Sequence, residues 1–236
     1  MTALGFLRPG HCAEDDYHRI EQLLAGDIRV ELVPDRDGPP AGREDAGWPA
    51  RSVEELRLAG AEAVVWASTS GSFRRGRDAA RAQVRALARA AGMPASATSF
   101  GFVNAARELG VRSVAVAAPY PEDVTAAFTE FLRQAGLRVA AAHSAGAAGP
   151  AEVAAWGEKE LIALVRAADA PEAGALLVPD TALHTVSRLA ALERLLGKPV
   201  LTANQVSVWE ALRLADRRVN ASGLGELFTR EPLVQV

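Results

Sequence analysis

The chain has 236 residues, of which 49% are hydrophobic and 23% charged, as is typical of a globular protein with one large domain or two lobes. Its formal net charge of −3 argues against a nucleic-acid partner, because such a partner needs clustered positive charge. Cys12 is the sole cysteine, which excludes a disulfide framework and a thiolate-rich zinc site.

Short apolar runs alternate with helical patterns along the whole chain. The runs predict buried strands at residues 3–7, 30–33, 63–67, 114–118, 137–141, 175–178 and 200–202. One helix is predicted to start at the acidic residues 14–16. The other predicted helices span residues 53–58, 74–91, 100–109, 121–135, 151–168, 187–196 and 204–214. Ser52 and Glu55 have the spacing of a capping box before the helix at 53–58. Continuous apolar strands between helices predict parallel βαβ units and an α/β fold.

The sequence also repeats itself weakly. Residues 4–9 match 114–119, residues 63–69 match 175–181, and residues 97–100 match 201–204, all in the same order. The repeat indicates two similar lobes, although generic βα units recurring by chance would look alike. Ligands of open α/β sheets bind beyond the carboxyl ends of the strands, so we expect the site in a cleft between the lobes.

Polar residues follow two predicted strands at equivalent places of the repeat. Ser68, Thr69 and Ser70 supply hydroxyls and backbone N–H groups at the start of a helix, which favours an anion site, although an ordinary helix cap has the same composition. Asp180 follows a buried strand. Such a carboxylate either caps the next turn or, when desolvated, has a raised pKa and transfers protons near neutrality. Ser68 and Asp180 are therefore the predicted pair at the cleft.

Three further residues follow strands on the same side of the predicted sheets. Tyr120 either directs its hydroxyl into the cleft or packs at the end of its strand. His11 and Cys12 are weaker candidates, because a lone histidine or cysteine in a loop is usually incidental. The sequence has no metal-ligand spacing and no nucleotide-binding, lipase-type or zincin motif, so we expect no metal.

Membrane and export signals are also not visible in the sequence. No stretch reaches the roughly 20 apolar residues that span a bilayer. Residues 1–6 lack the basic and apolar regions of a secretory signal. We therefore expect a cytoplasmic protein without a membrane partner.

The segments ASTSGSFRRG at residues 67–76, APY at 118–120 and LLVPDT at 176–181 give the chain a family resemblance. It resembles the aspartate/glutamate racemase superfamily, and within it the branch of arylmalonate decarboxylase and maleate cis-trans isomerase. The resemblance implies an enzyme without cofactors, built from two pseudo-twofold-related lobes with a small carboxylic acid in the cleft. We expect residues 1–112 plus 206–236 in the first lobe and 113–205 in the second. A homo-oligomer is a further candidate assembly.

The resemblance also implies roles for single residues. Thr69, Ser70, Tyr120 and Thr181 match the family's donors to an enediolate-like intermediate, and Pro9 is expected to line the substrate pocket. The family's cysteines do not carry over. The racemases and the isomerase have cysteine at the positions of Ser68 and Asp180, and the decarboxylase has it at that of Asp180.

This departure narrows the expected chemistry. Two-thiol racemisation is unavailable, and covalent isomerisation is disfavoured because a serine hydroxyl is a weak nucleophile without an activating base. Decarboxylation of a malonate-type acid remains, with Asp180 as proton donor or, for a less charged substrate, as base. The alternatives are a non-catalytic carboxylate-binding protein, an isomerase with a changed mechanism, and an enzyme that uses Cys12 or His11.

Overall fold

The computed structural model describes residues 1–24, 26–35 and 48–229. Strands and helices alternate along these residues. The strands are β1 (Thr2–Arg8), β2 (Ile28–Pro34), β3 (Ala61–Trp66), β4 (Ala95–Ala97), β5 (Ser113–Ala118), β6 (Arg138–Ser144), β7 (Ala175–Val178) and β8 (Val200–Thr202). The helices are α1 (Glu14–Leu23), α2 (Ala50–Leu58), α3 (Thr69–Phe73), α4 (Arg77–Ala91), α5 (Thr98–Glu108), α6 (Glu122–Gln134), α7 (Pro150–Ala154), α8 (Glu158–Ala168), α9 (Leu189–Leu196) and α10 (Ala203–Leu214). Within the described ranges, no helix has the length and apolar character that crossing a bilayer requires.

The strands form two parallel four-stranded sheets, in the orders β2-β1-β3-β4 and β6-β5-β7-β8. The two sheets have the same topology, because β5 to β8 take the places of β1 to β4 in the same order. The predicted two-lobed α/β fold is therefore confirmed. The register refines one match of the repeat. Trp66 pairs with Ala97 in the first sheet and Val178 pairs with Thr202 in the second, so Ala97 corresponds to Thr202 and not to Leu201.

The central strands contain continuous buried apolar runs because helices cover both faces of each sheet. All four residues of β7 are buried, whereas β2 and β6 lie at the sheet edges and are only half-buried. The strand predicted at 137–141 corresponds to β6, which begins at Arg138 and extends to Ser144 at the edge of its sheet. β4 was not predicted, because its three residues are small and form no apolar run.

One apolar core joins the two lobes at the cleft. Phe73 of α3 stacks on Phe128 of α6 with ring centroids 4.9 Å apart, and Phe102 of α5 meets Phe128 at 5.5 Å. α10 packs on α5 so closely that a Cβ at Gly101 would lie 3.0 Å from the Val206 carbonyl oxygen. The core thereby fixes the two sheets relative to each other; the exact lobe boundaries stay a prediction.

Glycines change two predicted helices: the helix predicted at 74–91 begins only at Arg77, and the helix predicted at 151–168 is divided in two. Gly76 has a φ of +83°, which favours glycine, and it separates α3 from α4. Gly157 separates α7 from α8, and its N–H donates to the Glu160 carboxylate at 3.0 Å. The predicted capping box is wrong: α2 begins before Ser52, whose hydroxyl donates to the Pro34 carbonyl at 2.9 Å.

Candidate active site

A cavity of about 420 Å³ opens between the sheets, beyond the carboxyl ends of β1, β3, β5 and β7. Its size is in the range of small-molecule sites. The sequence-predicted residues that line it are Pro9, His11, Ser68, Thr69, Ser70, Tyr120, Asp180 and Thr181. The structure therefore brings together side chains that are more than a hundred positions apart in the chain.

The first lobe contributes a corner of hydroxyls. Ser68 precedes α3, and Thr69 and Ser70 are its first two residues, so the predicted loop is a short helix. The Thr69 residue is only 2% exposed; within the described residues its hydroxyl approaches the Tyr120 phenol, but no group meets it with full hydrogen-bond geometry. A buried hydroxyl without a partner is unfavourable, so a ligand that fills this role is stabilised here.

Ser68 lies in the cavity but is not set up as a nucleophile. Its Oγ packs over the first turn of α3: a Cβ at Gly71 would lie 2.6 Å from that oxygen and 2.8 Å from the Trp66 ring. No histidine or carboxylate of the described chain is hydrogen-bonded to the Ser68 hydroxyl. Without an adjacent base the hydroxyl stays a weak nucleophile.

The second lobe contributes Asp180, which Pro179 separates from the end of β7. Its φ of +115° is unusual for a residue with a side chain, and the residue lines the cavity. One oxygen, Oδ1, accepts the Ala182 N–H at 2.8 Å, as in a local turn. Burial raises the pKa of Asp180 to about 6, and the bond from Ala182 offsets this only in part. The acid is thus both locally capped and poised to exchange a proton near neutral pH.

Tyr120 lies between the hydroxyl corner and the acid. Burial, and then the negative charge of Asp180, raise its pKa well above the usual value, while a contact with the Thr69 hydroxyl lowers it. The phenol therefore keeps its proton and is available as a donor. Its ring packs 6.1 Å from that of Phe73, and its carbonyl accepts the Gly146 N–H at 3.1 Å.

The two weaker candidates have different places. His11 is exposed and lines the mouth of the cavity. Cys12 does not line it; its side chain packs against the apolar core, and burial raises the pKa of the thiol to about 12. Cys12 is therefore a neutral thiol outside the cavity, so the idea that it reacts has no support from its position.

Several lining residues were not predicted as site residues. Arg74 and Asp123 place charges at the mouth, and both are exposed. An apolar wall is added by Pro121 just before α6, Val124 in its first turn and Val153 of α7. Arg74 lies in the motif quoted above and could have been noticed there; the apolar wall carries no local signal. No group of three or more potential metal ligands occurs in the residues that the structure describes.

Comparison with known proteins gives a consistent result. A family profile described as arylmalonate decarboxylase matches residues 50–228. Arylmalonate decarboxylase from Bordetella bronchiseptica is 35% identical over 179 residues, which cover 75% of each chain. A solved structure of a liganded double mutant of arylmalonate decarboxylase shares 29% identity at a TM-score of 0.82, covering 97% of this chain and 99% of that one. The maleate isomerase of Pseudomonas putida S16 shares the fold, with 17% identity, a TM-score of 0.84 and coverage of 97% and 98%.

The resemblance inferred from the sequence motifs is thus confirmed. The protein is an enzyme of lyase or isomerase type, and the chain belongs to the arylmalonate decarboxylase family.

Proposed function

We propose that this enzyme decarboxylates a small malonate-type dicarboxylic acid, with Asp180 as the proton donor. The observation that carries the proposal is the position of Asp180, whose pKa burial raises to about 6, in the same cavity as the hydroxyls of the first lobe. Such an arrangement has one acid with a raised pKa and several neutral donors, which is what decarboxylation followed by protonation of carbon requires.

In the proposed reaction, the bond between the α carbon and one carboxylate breaks and carbon dioxide leaves. The electron pair stays on the α carbon and is shared with the remaining carboxylate as an enediolate. Thr69, Ser70, Tyr120 and Thr181 donate hydrogen bonds to its oxygens. Asp180 then gives its proton to the α carbon, and its carboxylate regains a proton from solvent. Removing one such donor typically lowers turnover about 10²–10³-fold.

The charge of the substrate decides the state of Asp180. An ionised Asp180 would repel a carboxylate 4 Å away by about 4 kcal/mol at an effective dielectric constant near 20. Protonating a group of pKa about 6 at pH 7 costs only about 1.4 kcal/mol. Protonation is the cheaper solution, so the complex with a dianion contains Asp180 as a neutral acid. This is the form that donates a proton.

The cavity supports covalent isomerisation less well. That route needs a nucleophile to add to the substrate, and Ser68 has no hydrogen-bonded base within the described chain. Cys12 faces the core instead of the cavity. A protein that binds carboxylates without turning them over would use the same donors, and the experiment has to separate it from an enzyme.

The test is incubation of the wild-type enzyme with phenylmalonate, maleate and related diacids, while substrate loss, carbon dioxide release and thermal stability are followed. The proposal expects carbon dioxide from a malonate-type acid, loss of this activity in Asp180→Asn, and retention of it in Asp123→Asn, which changes an exposed acid of the same cavity. Thermal stabilisation by these acids without consumption would show a binding protein. Fumarate formed from maleate without carbon dioxide would show an isomerase.

A further inference from the structure

A second buried carboxylate, Asp16 of α1, contacts the loop that carries Asp180. The Asp16 residue is 2% exposed, and both of its oxygens accept hydrogen bonds. Oδ2 accepts the Thr185 N–H at 2.9 Å and the Thr185 hydroxyl at 3.1 Å. Oδ1 accepts the Val186 N–H at 3.0 Å. The carboxylate of Asp16, on a helix between two strands of the first sheet, thus holds the loop that follows β7 of the second sheet.

A hydrogen bond from the first lobe also anchors the start of this loop. The Ala13 N–H, just before α1, donates to the Thr181 carbonyl at 2.8 Å. Asn204 of α10 links the two anchors, because its Nδ2 donates to Asp16 Oδ2 at 2.9 Å and lies 3.3 Å from the Thr181 carbonyl oxygen. Both ends of the loop are therefore hydrogen-bonded to Asp16 or to residues next to it: Thr181 at the start, and Thr185 and Val186 at the end.

We infer that Asp16 is a positioning residue for Asp180: by holding residues 181–186 against α1, it keeps the Asp180 carboxylate in the cavity. The φ of +115° at Asp180 is a conformation that persists only when the surroundings enforce it. The hydrogen bond of the Asp180 side chain to Ala182 is local and would move with the loop. The constraint must come from contacts outside the loop, and the bonds to Asp16 and Ala13 supply it.

Family membership does not assign this role, because Asp16 lies outside the matched residues 50–228. The chemistry of the contact is specific to a carboxylate. Both oxygens accept from N–H donors, so an amide in its place would turn one NH₂ group toward a backbone N–H whichever way it is oriented. The resulting buried donor would be left without an acceptor.

The test compares Asp16→Asn with Glu210→Gln as a matched control. Glu210 is also a buried carboxylate, at 1% exposure, and accepts hydrogen bonds from Ser96, Asn104 and Arg213 without contacting the Asp180 loop. Both variants remove a buried charge, but only the first disturbs the loop. The catalytic part of the inference rests on the proposed function, so two readouts that need no substrate are included.

For Asp16→Asn we expect amide hydrogen exchange at Thr185 and Val186 to become at least tenfold faster. The ¹³C titration midpoint of the Asp180 carboxyl should fall from about 6 toward its ordinary value. With an accepted diacid, kcat should fall tenfold or more while KM changes less. Glu210→Gln should leave loop exchange and the Asp180 midpoint as in the wild type.

Unchanged exchange and an unchanged Asp180 midpoint in folded Asp16→Asn would overturn the inference, as would equal changes in Glu210→Gln. If Asp16→Asn does not fold, Thr185→Val removes only the hydroxyl bond, and the same changes should appear at smaller size; their absence overturns the inference. If the wild type consumes no acid, the proposed function fails, whereas exchange and titration still decide the role of Asp16.

Discussion

Replacing Asp180 by asparagine should stabilise the enzyme at alkaline pH while abolishing its turnover. Asparagine keeps the shape of the side chain, tolerates positive φ and retains an oxygen for the Ala182 N–H. It removes the charge and places an NH₂ group where the second oxygen was. Burial raises the pKa of this acid from 3.8 to about 6, and at about 1.4 kcal/mol per pKa unit the ionised form costs the folded state at most about 3 kcal/mol. This is an upper value, because the half-buried side chain keeps some contact with solvent.

The pH dependence follows from the sign of the shift. A carboxyl whose pKa is raised by folding favours the folded state in its protonated form. That contribution is complete below about pH 3.8, declines as the pH rises, and is lost above about pH 6. The stability advantage of Asp180→Asn over the wild type should therefore be close to zero near pH 3.8, grow up to about pH 6, and stay constant above about pH 7.

Urea unfolding of both proteins between pH 4.5 and pH 8 measures this difference directly. Asp123→Asn, an exposed acid of the same cavity, is the control and should change the free energy of unfolding by no more than about 0.5 kcal/mol. A wild type as stable as Asp180→Asn at pH 8, or a difference that does not vary with pH, would refute the reasoning. The carboxylate would then be well solvated or paired, and its role as a proton donor near neutral pH would lose its basis.

The remaining predictions concern the reaction and the cavity wall. If Asp180 is the donor, kcat/KM corrected for substrate ionisation should be flat below about pH 6 and fall tenfold per pH unit above it; a rise through pH 6 would show a base instead. Arg74→Ala should raise KM for a diacid about two- to fivefold at low salt and less at high salt, whereas Arg75→Ala, the exposed neighbour outside the cavity lining, should leave KM unchanged. Gly71→Ala should lower the free energy of unfolding by about 1–3 kcal/mol, measured by denaturant titration, because its Cβ would overlap the Ser68 hydroxyl and the Trp66 ring.

The architecture and the polar side chains after the central strands could be predicted from the sequence because both depend on local patterns. Buried parallel strands are short apolar runs, and a site in such a fold is formed by residues that directly follow them. Ser68 and Asp180 were found in this way: each follows a strand, and the repeat placed them at equivalent positions. The structure shows that both line one cavity.

Other features depend on contacts that no local pattern contains. The start of α4 after Gly76, and not at residue 74, was missed because an isolated glycine also occurs inside helices. Cys12 was placed on the cleft side by its loop, but the direction of its side chain is set by packing against the core. Asp16 was not predicted as functional, since its partners Thr185 and Val186 lie 169 and 170 positions further along the chain.

An acid at position 180 can serve as the proton donor only under a condition on the charges around it. A carboxylic acid exchanges its proton near neutral pH only when burial raises its pKa and no nearby cation offsets this effect. The influences on the Asp180 pKa are burial and the Ala182 N–H, and Arg74, on the same cavity, is not among them. Arg74 can therefore attract an anionic substrate at the mouth without lowering the pKa of the acid inside. A cation introduced beside Asp180 would bind the diacid more tightly and yet slow the reaction, because it would keep the proton donor ionised.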